Sequence, residues 1–165
     1  MKRTTRIKKK TKYRLWYLGV LTVLVLVLVI FNLALSPMRN AKKQATQLAQ
    51  QYAGLKEETA FYHYNRNHTY YTVAGTNDKK QKIYAIVAQN GKKINVYQQN
   101  EGISEASAKK ITQQTGNVKK ITHTALGMHK NKPVWEISYL NSYGNLCYDL
   151  LDFKTGKIVK TIQNI

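Results

Sequence analysis

The side chains in this chain that could do chemistry are few, and their spacing does not suit it. There are four histidines (His63, His68, His123 and His129), one cysteine (Cys147) and eight acids in 165 residues. His63 and His68 bound the segment "HYNRNH". They therefore miss the i, i+4 spacing that sets two imidazoles on one helix face for zinc. No Asp or Glu lies near them, and Cys147 is distant. Cys147 sits in "NLCYDLL", among Leu and Tyr, where it reads as a small packed residue rather than a nucleophile. Glu136, Asp149 and Asp152 are the only acids of the last third. A retaining glycosidase needs two carboxyls about 5 Å apart on one face, whereas Asp149 and Asp152 have opposite strand parity. Asp152, just before "FKTG", suits the capping of a turn. There is no Gly-rich phosphate loop and no G-x-S-x-G. These residues lead us to expect no catalytic site, no metal ligands and no cofactor.

The charge carries more information. The formal net charge is +19, from 27 Lys and Arg against 8 acids. Residues 1–14, "MKRTTRIKKKTKYR", hold eight basic groups and no acid; residues 39–165 hold the other nineteen and all eight acids, leaving +11. Within the second part Lys pairs recur: Lys79-Lys80, Lys92-Lys93, Lys109-Lys110 and Lys119-Lys120. Simple solvation accounts for such pairs; the functional reading is attraction to a polyanion, with Lys79, Lys80, Lys92 and Lys93 as the candidate contacts.

Between the two basic parts lies "LWYLGVLTVLVLVLVIFNLALS", residues 15–36, with no charged residue. As a helix it would span about 33 Å, slightly more than the roughly 30 Å hydrocarbon core of a bilayer. Fifteen of its residues are Leu, Ile, Val or Phe, each favouring insertion by about 0.3–0.6 kcal/mol. Ala34 and Ser36 offer a small-residue pattern for a signal peptidase, but the apolar run exceeds a usual signal core and Pro37 would follow the cut. An uncleaved anchor is the expectation. Lys8, Lys9, Lys10, Lys12 and Arg14 would hold the N-terminus inside by the positive-inside rule, with Trp16 at the inner interface. The remaining 127 residues would then lie outside, where no intramolecular disulfide is available to a single Cys.

The elements expected outside the membrane are these. Ser36-Pro37 reads as N-cap and first helical position, opening a helix with Ala41, Ala45, Leu48, Ala49 and Tyr52 on one face and Gly54 as its stop. Strands follow at 59–65, 68–76, 82–89 and 93–99, with Asn90-Gly91 as a hairpin turn. A second helix starts at the N-cap Ser104, has Glu105 in its first turn and ends at Gly116, with Ile103 placed to staple onto Ala108. Strands at 118–126, 132–140, 145–153 and 156–162 complete the chain. Trp135, Ile137 and Tyr139 alternate with Glu136 and Ser138, which predicts one buried face. Shifting the chain by 65 residues lays Gly156 on Gly91, Leu151 on Ile86 and Trp135 on Tyr70. The pattern is α+β: two copies of one helix-on-antiparallel-sheet unit. Units of about 60 residues are marginal alone, so the two are expected to pack together.

"YYTVAGTNDKKQKIYAIV", "EGISEASAKKI" and "PVWEISYLNSYGNLCYDLLDFKTGKI", behind a basic tail and one apolar span, resemble the TseB-like (YpmB-like) family of Gram-positive bacteria over nearly the whole chain. Glu101-Gly102-Ile103-Ser104, Trp135-Glu136-Ile137 and the run from Asp152 to Lys157 carry most of the likeness. "DFKTGKI" is also similar to the final strand pair of PepSY domains. The resemblance implies a basic tail (1–14), a single transmembrane helix (15–36) and two tandem extracytoplasmic units, cystatin-like (37–100) and PepSY-like (101–165). It implies a non-enzymatic regulator of cell wall elongation that binds a membrane-bound penicillin-binding protein, with no catalytic residues to carry over. Rival readings are a PepSY-type inhibitor or chaperone of a secreted protease, a receptor for anionic wall polymers, and a wall-degrading enzyme. Nucleic acid is not an expected partner of an outward-facing surface.

Overall fold

The computed structural model describes residues 5–115 and 117–163. It contains one long helix, α1 (Thr5–Ala53), followed by β1 (Leu55–Asn65), β2 (Thr69–Asn77), β3 (Lys82–Ala88) and β4 (Ile94–Gln98). A single 3-10 turn (Gln99–Glu101) leads to α2 (Glu105–Gln114) and then to β5 (Val118–His129), β6 (Lys132–Asn141), β7 (Leu146–Asp152) and β8 (Ile158–Ile162). The strands form two four-stranded antiparallel meanders, β1-β2-β3-β4 and β5-β6-β7-β8. The α+β reading and the order of its elements therefore hold. The chain divides into two compact units, one ending at Asn40 and the other running Ala41–Ile165.

In the first unit α1 is long and apolar enough to cross a membrane by length and composition. Its described side chains from Trp16 to Leu35 are exposed, as they would be if lipid were their solvent. Trp16 packs edge-on against Tyr17 at 5.4 Å. Arg14 is exposed beside them, and the side chains of Lys8, Lys9, Lys10 and Lys12 lie outside the described residues. Ser36 and Pro37 do not start a second helix: Pro37 lies inside α1. Proline's missing N–H removes one bond, to the carbonyl of Leu33, and the helix continues past it.

The second unit begins with the last turns of α1. Ala45 and Ala49 are buried against Leu55, Val73, Ile83, Ala85 and Val87. Alanine at these positions lets the helix axis approach the sheet closely. The other face of the same sheet presents Ala74, Tyr84 and Ile86, which join Leu126, Trp135, Ile137, Leu151, Phe153 and Ala108 in the main core. The first sheet is thus covered on both faces, which is why "KIYAIVA" is apolar without alternation. Trp135 anchors the main core. It is fully buried, its indole N–H donates to the Ile103 carbonyl at 2.9 Å, and Tyr62 and Tyr84 meet its ring edge-on at 5.3 and 5.7 Å.

Several local expectations hold. Ser104 caps α2 by accepting from the Ser107 N–H at 3.1 Å, and Ile103 packs on the core that contains Ala108. Asp152 Oδ1 accepts from the backbone N–H groups of Lys154 and Thr155 at 3.1 and 2.9 Å. Gly91 and Gly156 both take left-handed φ, +69° and +72°, which turns of this kind require. Gly116 lies outside the described residues.

Two expectations are corrected. First, β6 is buried on both faces: Glu136 and Ser138 are 5% and 4% exposed. The tip of the β1–β2 hairpin covers the face on which they lie. Second, the repeat does not run at a constant shift of 65. Trp135 and Ile137 face the core under α2, as Tyr71 and Val73 face α1, and 71 + 64 = 135. A shift of one residue moves a strand's side chains to the opposite face, so the β2 and β6 strands superpose at 64. Val87 and Leu151 also match at 64, whereas Gly91 and Gly156 match at 65. The second copy therefore holds one extra residue before its last turn.

Hairpin β1–β2 reaches onto the outer face of the second sheet through Tyr64, which is buried with Ala125, Val134 and Leu150. Gly127 makes this approach available: a Cβ there would stand 2.3 Å from Tyr64 Cγ. Gly127→Ala is therefore expected to lower the unfolding free energy of the intact chain by about 1–3 kcal/mol or more, as overpacking does. Urea unfolding followed by Trp135 fluorescence would measure it; an unchanged midpoint would mean that Tyr64 can yield without loss.

Candidate functional site

The residues singled out for chemistry are dispersed, and each has a structural occupation. Glu136 pairs with the Arg66 guanidinium, which also lies over the Tyr148 ring, 4.1 Å from its centroid. Asp152 is held in its turn, where those backbone donors and the Thr155 hydroxyl keep its carboxyl below the ordinary range despite partial burial. Cys147 is buried, 1% exposed. His63 stacks on Tyr71 at 5.3 Å, and burial and the neighbouring His123 both lower its pKa, favouring the neutral imidazole. Among the described residues no three His, Cys, Asp or Glu gather as metal ligands would.

Asp149 is the exception in energy. It is 1% exposed, on the face under α2. The Thr161 hydroxyl donates to its Oδ1 at 2.7 Å, while Oδ2 and the Thr112 hydroxyl have no partner in bonding geometry. Burial pushes its carboxyl up, and the hydroxyls of Thr161 and Thr112 offset only part of that.

Chemistry with a partner is better served at one end of the second unit. There the β1–β2 hairpin tip stands between two turns. On one side, a cleft of about 660 Å³ lies between the tip and the β3–β4 turn, with Arg66, His68, Lys92 and Lys93 on its walls. On the other, a cleft of about 300 Å³ separates the tip from the β5–β6 turn, with His68, His129 and Lys130. Among the described residues lining either cleft there is no Asp or Glu; the other polar groups are mainly amides such as Asn67 and Asn131. Burial, and then the neighbouring charges of Lys130, Lys160 and Arg66, lower the pKa of His129 and favour its neutral form. Lys130 and Asn131 both take positive φ, +48° and +62°, the two-residue hairpin geometry usually built with Asn-Gly.

The four lysines proposed from sequence are thus divided. Lys92 and Lys93 stand at this end. Lys79 and Lys80 lie in the β2–β3 turn, at the other end of β3, seven residues or about 23 Å away, beside Asp78, whose N–H donates to the Gly54 carbonyl at 2.9 Å. Sequence reasoning missed Arg66, His68 and Lys130. "NRNH" between aromatic strands and the tight turn "HKNK" were the signals available, but neither says that two turns 60 residues apart share one end.

Residues 44–88 match the model described as cell wall elongation regulator TseB-like domain, and residues 102–162 match the peptidase propeptide and YPEB domain, PepSY. The first covers the end of α1 through β3, the second the approach to α2 through β8. The probable cell wall elongation regulator TseB of Bacillus subtilis (strain 168) is 37% identical over 117 residues, 67% of this chain and 73% of that protein. The chain belongs to the TseB-like family of cell wall elongation regulators. A solved structure agrees: the YpmB protein from Bacillus subtilis is 33% identical, with a TM-score of 0.66 over 73% of this chain and 95% of that one.

Two outcomes are expected from the buried charges of this TseB-like chain. Arg66→Ala leaves Glu136 buried without its cation and should cost about 2–4 kcal/mol; adding Glu136→Gln should recover part of the loss, as a double-mutant cycle in urea would show. Asp149→Asn should raise the melting temperature at pH 7. A carboxyl whose folded pKa lies above its unfolded one stabilises the fold only when protonated, so this cost is present at neutral pH and fades as pH falls through the folded pKa. The advantage of the Asn variant should shrink accordingly in melts taken toward pH 4.

Proposed function

We propose that this protein is a single-pass membrane protein whose outward-facing, non-enzymatic pair of domains regulates cell wall elongation by contact with a membrane-bound penicillin-binding protein. The observation that carries this reading is the 37% identity to a cell wall elongation regulator. The apolar stretch of α1 supplies the anchor, and the basic tail of residues 1–14 sets the N-terminus on the cytoplasmic side. Acids committed to an ion pair, a buried hydroxyl contact and a turn favour binding over catalysis. A regulator that works by contact needs a stiff surface, and two packed sheets provide one.

The PepSY match over residues 102–162 favours a second reading, inhibition or chaperoning of a secreted protease. Photo-crosslinking from the outer domains in living cells, followed by identification of the trapped membrane proteins, separates the two. Capture of a transpeptidase, together with altered cell length on deletion, is the expected result. Capture of a protease, or deletion without change in cell length, wall incorporation or synthase level, would replace this reading with the second.

A further inference from the structure

We infer that the cationic loop end of the second unit docks on the anionic lipid surface of the membrane that anchors the chain, through Lys92, Lys93 and Lys130. The inference rests on the proposed anchor. The end at which the chain joins this unit comes first. α1 runs antiparallel to β1: Ala53 hands on to Leu55 through Gly54, Thr46 donates to Glu58 at 2.9 Å, and Lys42 lies over Phe61 at 5.8 Å. The chain therefore enters the unit at Ala41 from the end where β1 turns into β2 and β3 into β4, the end that carries the clefts, and α1 runs away from it toward Ala53.

The tether is short. From Ser36, the last residue of the uncharged stretch, to Ala41 is five residues, at most about 18 Å even when fully extended. By chain connectivity alone, the end of the unit that bears the tether can reach the headgroups. Charged side chains on that end would feel an anionic surface once within a Debye length of it, about 8–10 Å at physiological salt.

The chemistry of the end suits phosphodiesters. Lys92, Lys93 and Lys130 are exposed, with no carboxylate among the described residues lining the clefts to compete for them. Amides supply further donors beside them. The hairpin tip between the clefts divides the charge into two troughs, one on either side of Asn67. Arg66 contributes field but not contact, because Glu136 engages its Nε and its Nη2 is buried. A soluble wall polymer would find the same cations, but the short tether keeps lipid within reach of this end at all times, and local concentration decides between two ligands of one chemistry.

The test uses the full chain reconstituted in phosphatidylcholine vesicles with and without phosphatidylglycerol, carrying a fluorophore at Asn67→Cys; the native Cys147 is buried. Lipids bearing a quencher in the headgroup report docking, and flotation with neutral vesicles reports the anchor separately. Quenching is expected to rise with phosphatidylglycerol and to fall in high salt. Replacing Lys92, Lys93 and Lys130 by Gln should lower the docking equilibrium by about a hundredfold, since each such Lys is worth about fivefold near an anionic surface. Lys79→Gln with Lys80→Gln should leave it unchanged, and thermal melts confirm that each variant folds. Equal quenching on neutral and anionic vesicles, or equal sensitivity to the Lys79 and Lys80 changes, overturns the proposal. So does a glycerol-phosphate polymer that binds the cleft on neutral vesicles while phosphatidylglycerol has no effect, in which case the surface is a polymer receptor. Failure to float with neutral vesicles would strike the anchor instead.

Discussion

Between the two sheets, the β1–β2 hairpin does what neither sheet could do alone. Its Tyr64 lies on Gly127 and fills the outer face of the second sheet with Ala125, Val134 and Leu150. Its Arg66 neutralises Glu136 on that same face, where an unpaired carboxylate would be costly. Its Thr72, on β2, donates to the Leu126 carbonyl at 2.6 Å in a fully buried site. Each copy has a sheet and one helix, too little apolar area to be secure alone. The hairpin makes the second sheet's outer face part of the interior. The same reach sets His68 between Lys92 on one side and Lys130 on the other. The packing that joins the copies therefore also builds the cationic end.

Much of this was legible in the residues, and the reasons are local. The Ser104 cap, the Asp152 turn and the Gly91 and Gly156 turns follow from chemistry within four residues, so spacing alone finds them. The number and order of strands follow from runs of β-branched and aromatic side chains. What escaped is what depends on partners distant in sequence. Glu136 in alternation with Trp135 looks like a solvent-facing residue, because nothing nearby indicates that Arg66, 70 positions earlier, will cover it. The repeat shift of 65 fits the turns, where glycine is conspicuous, but fails in the strands by one residue. There only the choice of face decides, and face is a tertiary property. Pro37 looked like a helix start because its local rule is strong, yet a helix tolerates one missing bond.

The residues of the cationic end were harder to see for a related reason. Paired lysines stand out by eye, and all four candidates sit in turns, so sequence ranks Lys79 and Lys80 with Lys92 and Lys93. The meander topology sends alternate turns to opposite ends of a sheet. Only one pair can share the hairpin tip, and Asp78 dilutes the charge of the other. Lys130, single in its turn, gains its place from the crossing of the second sheet over the first. Conversely, the acids of the last strands take separate places: Glu136 at the interface with Arg66, Asp152 in a turn and Asp149 beneath α2.

Asp149 shows how such a fold tolerates a costly group and what limits its use. Its carboxyl sits where the first copy has Ala85 (85 + 64 = 149), on the face turned toward the helix. The first copy satisfies that position with a methyl group against Ala45 and Ala49; the second places a charge there and hydroxyls of Thr161 and Thr112 around it. A buried carboxylate with an unpartnered oxygen weakens the second copy at neutral pH. The first sheet, covered on both faces, carries no such cost. The two copies of one architecture therefore differ in their margin of stability, and the hairpin clasp from the first copy helps hold the second in place.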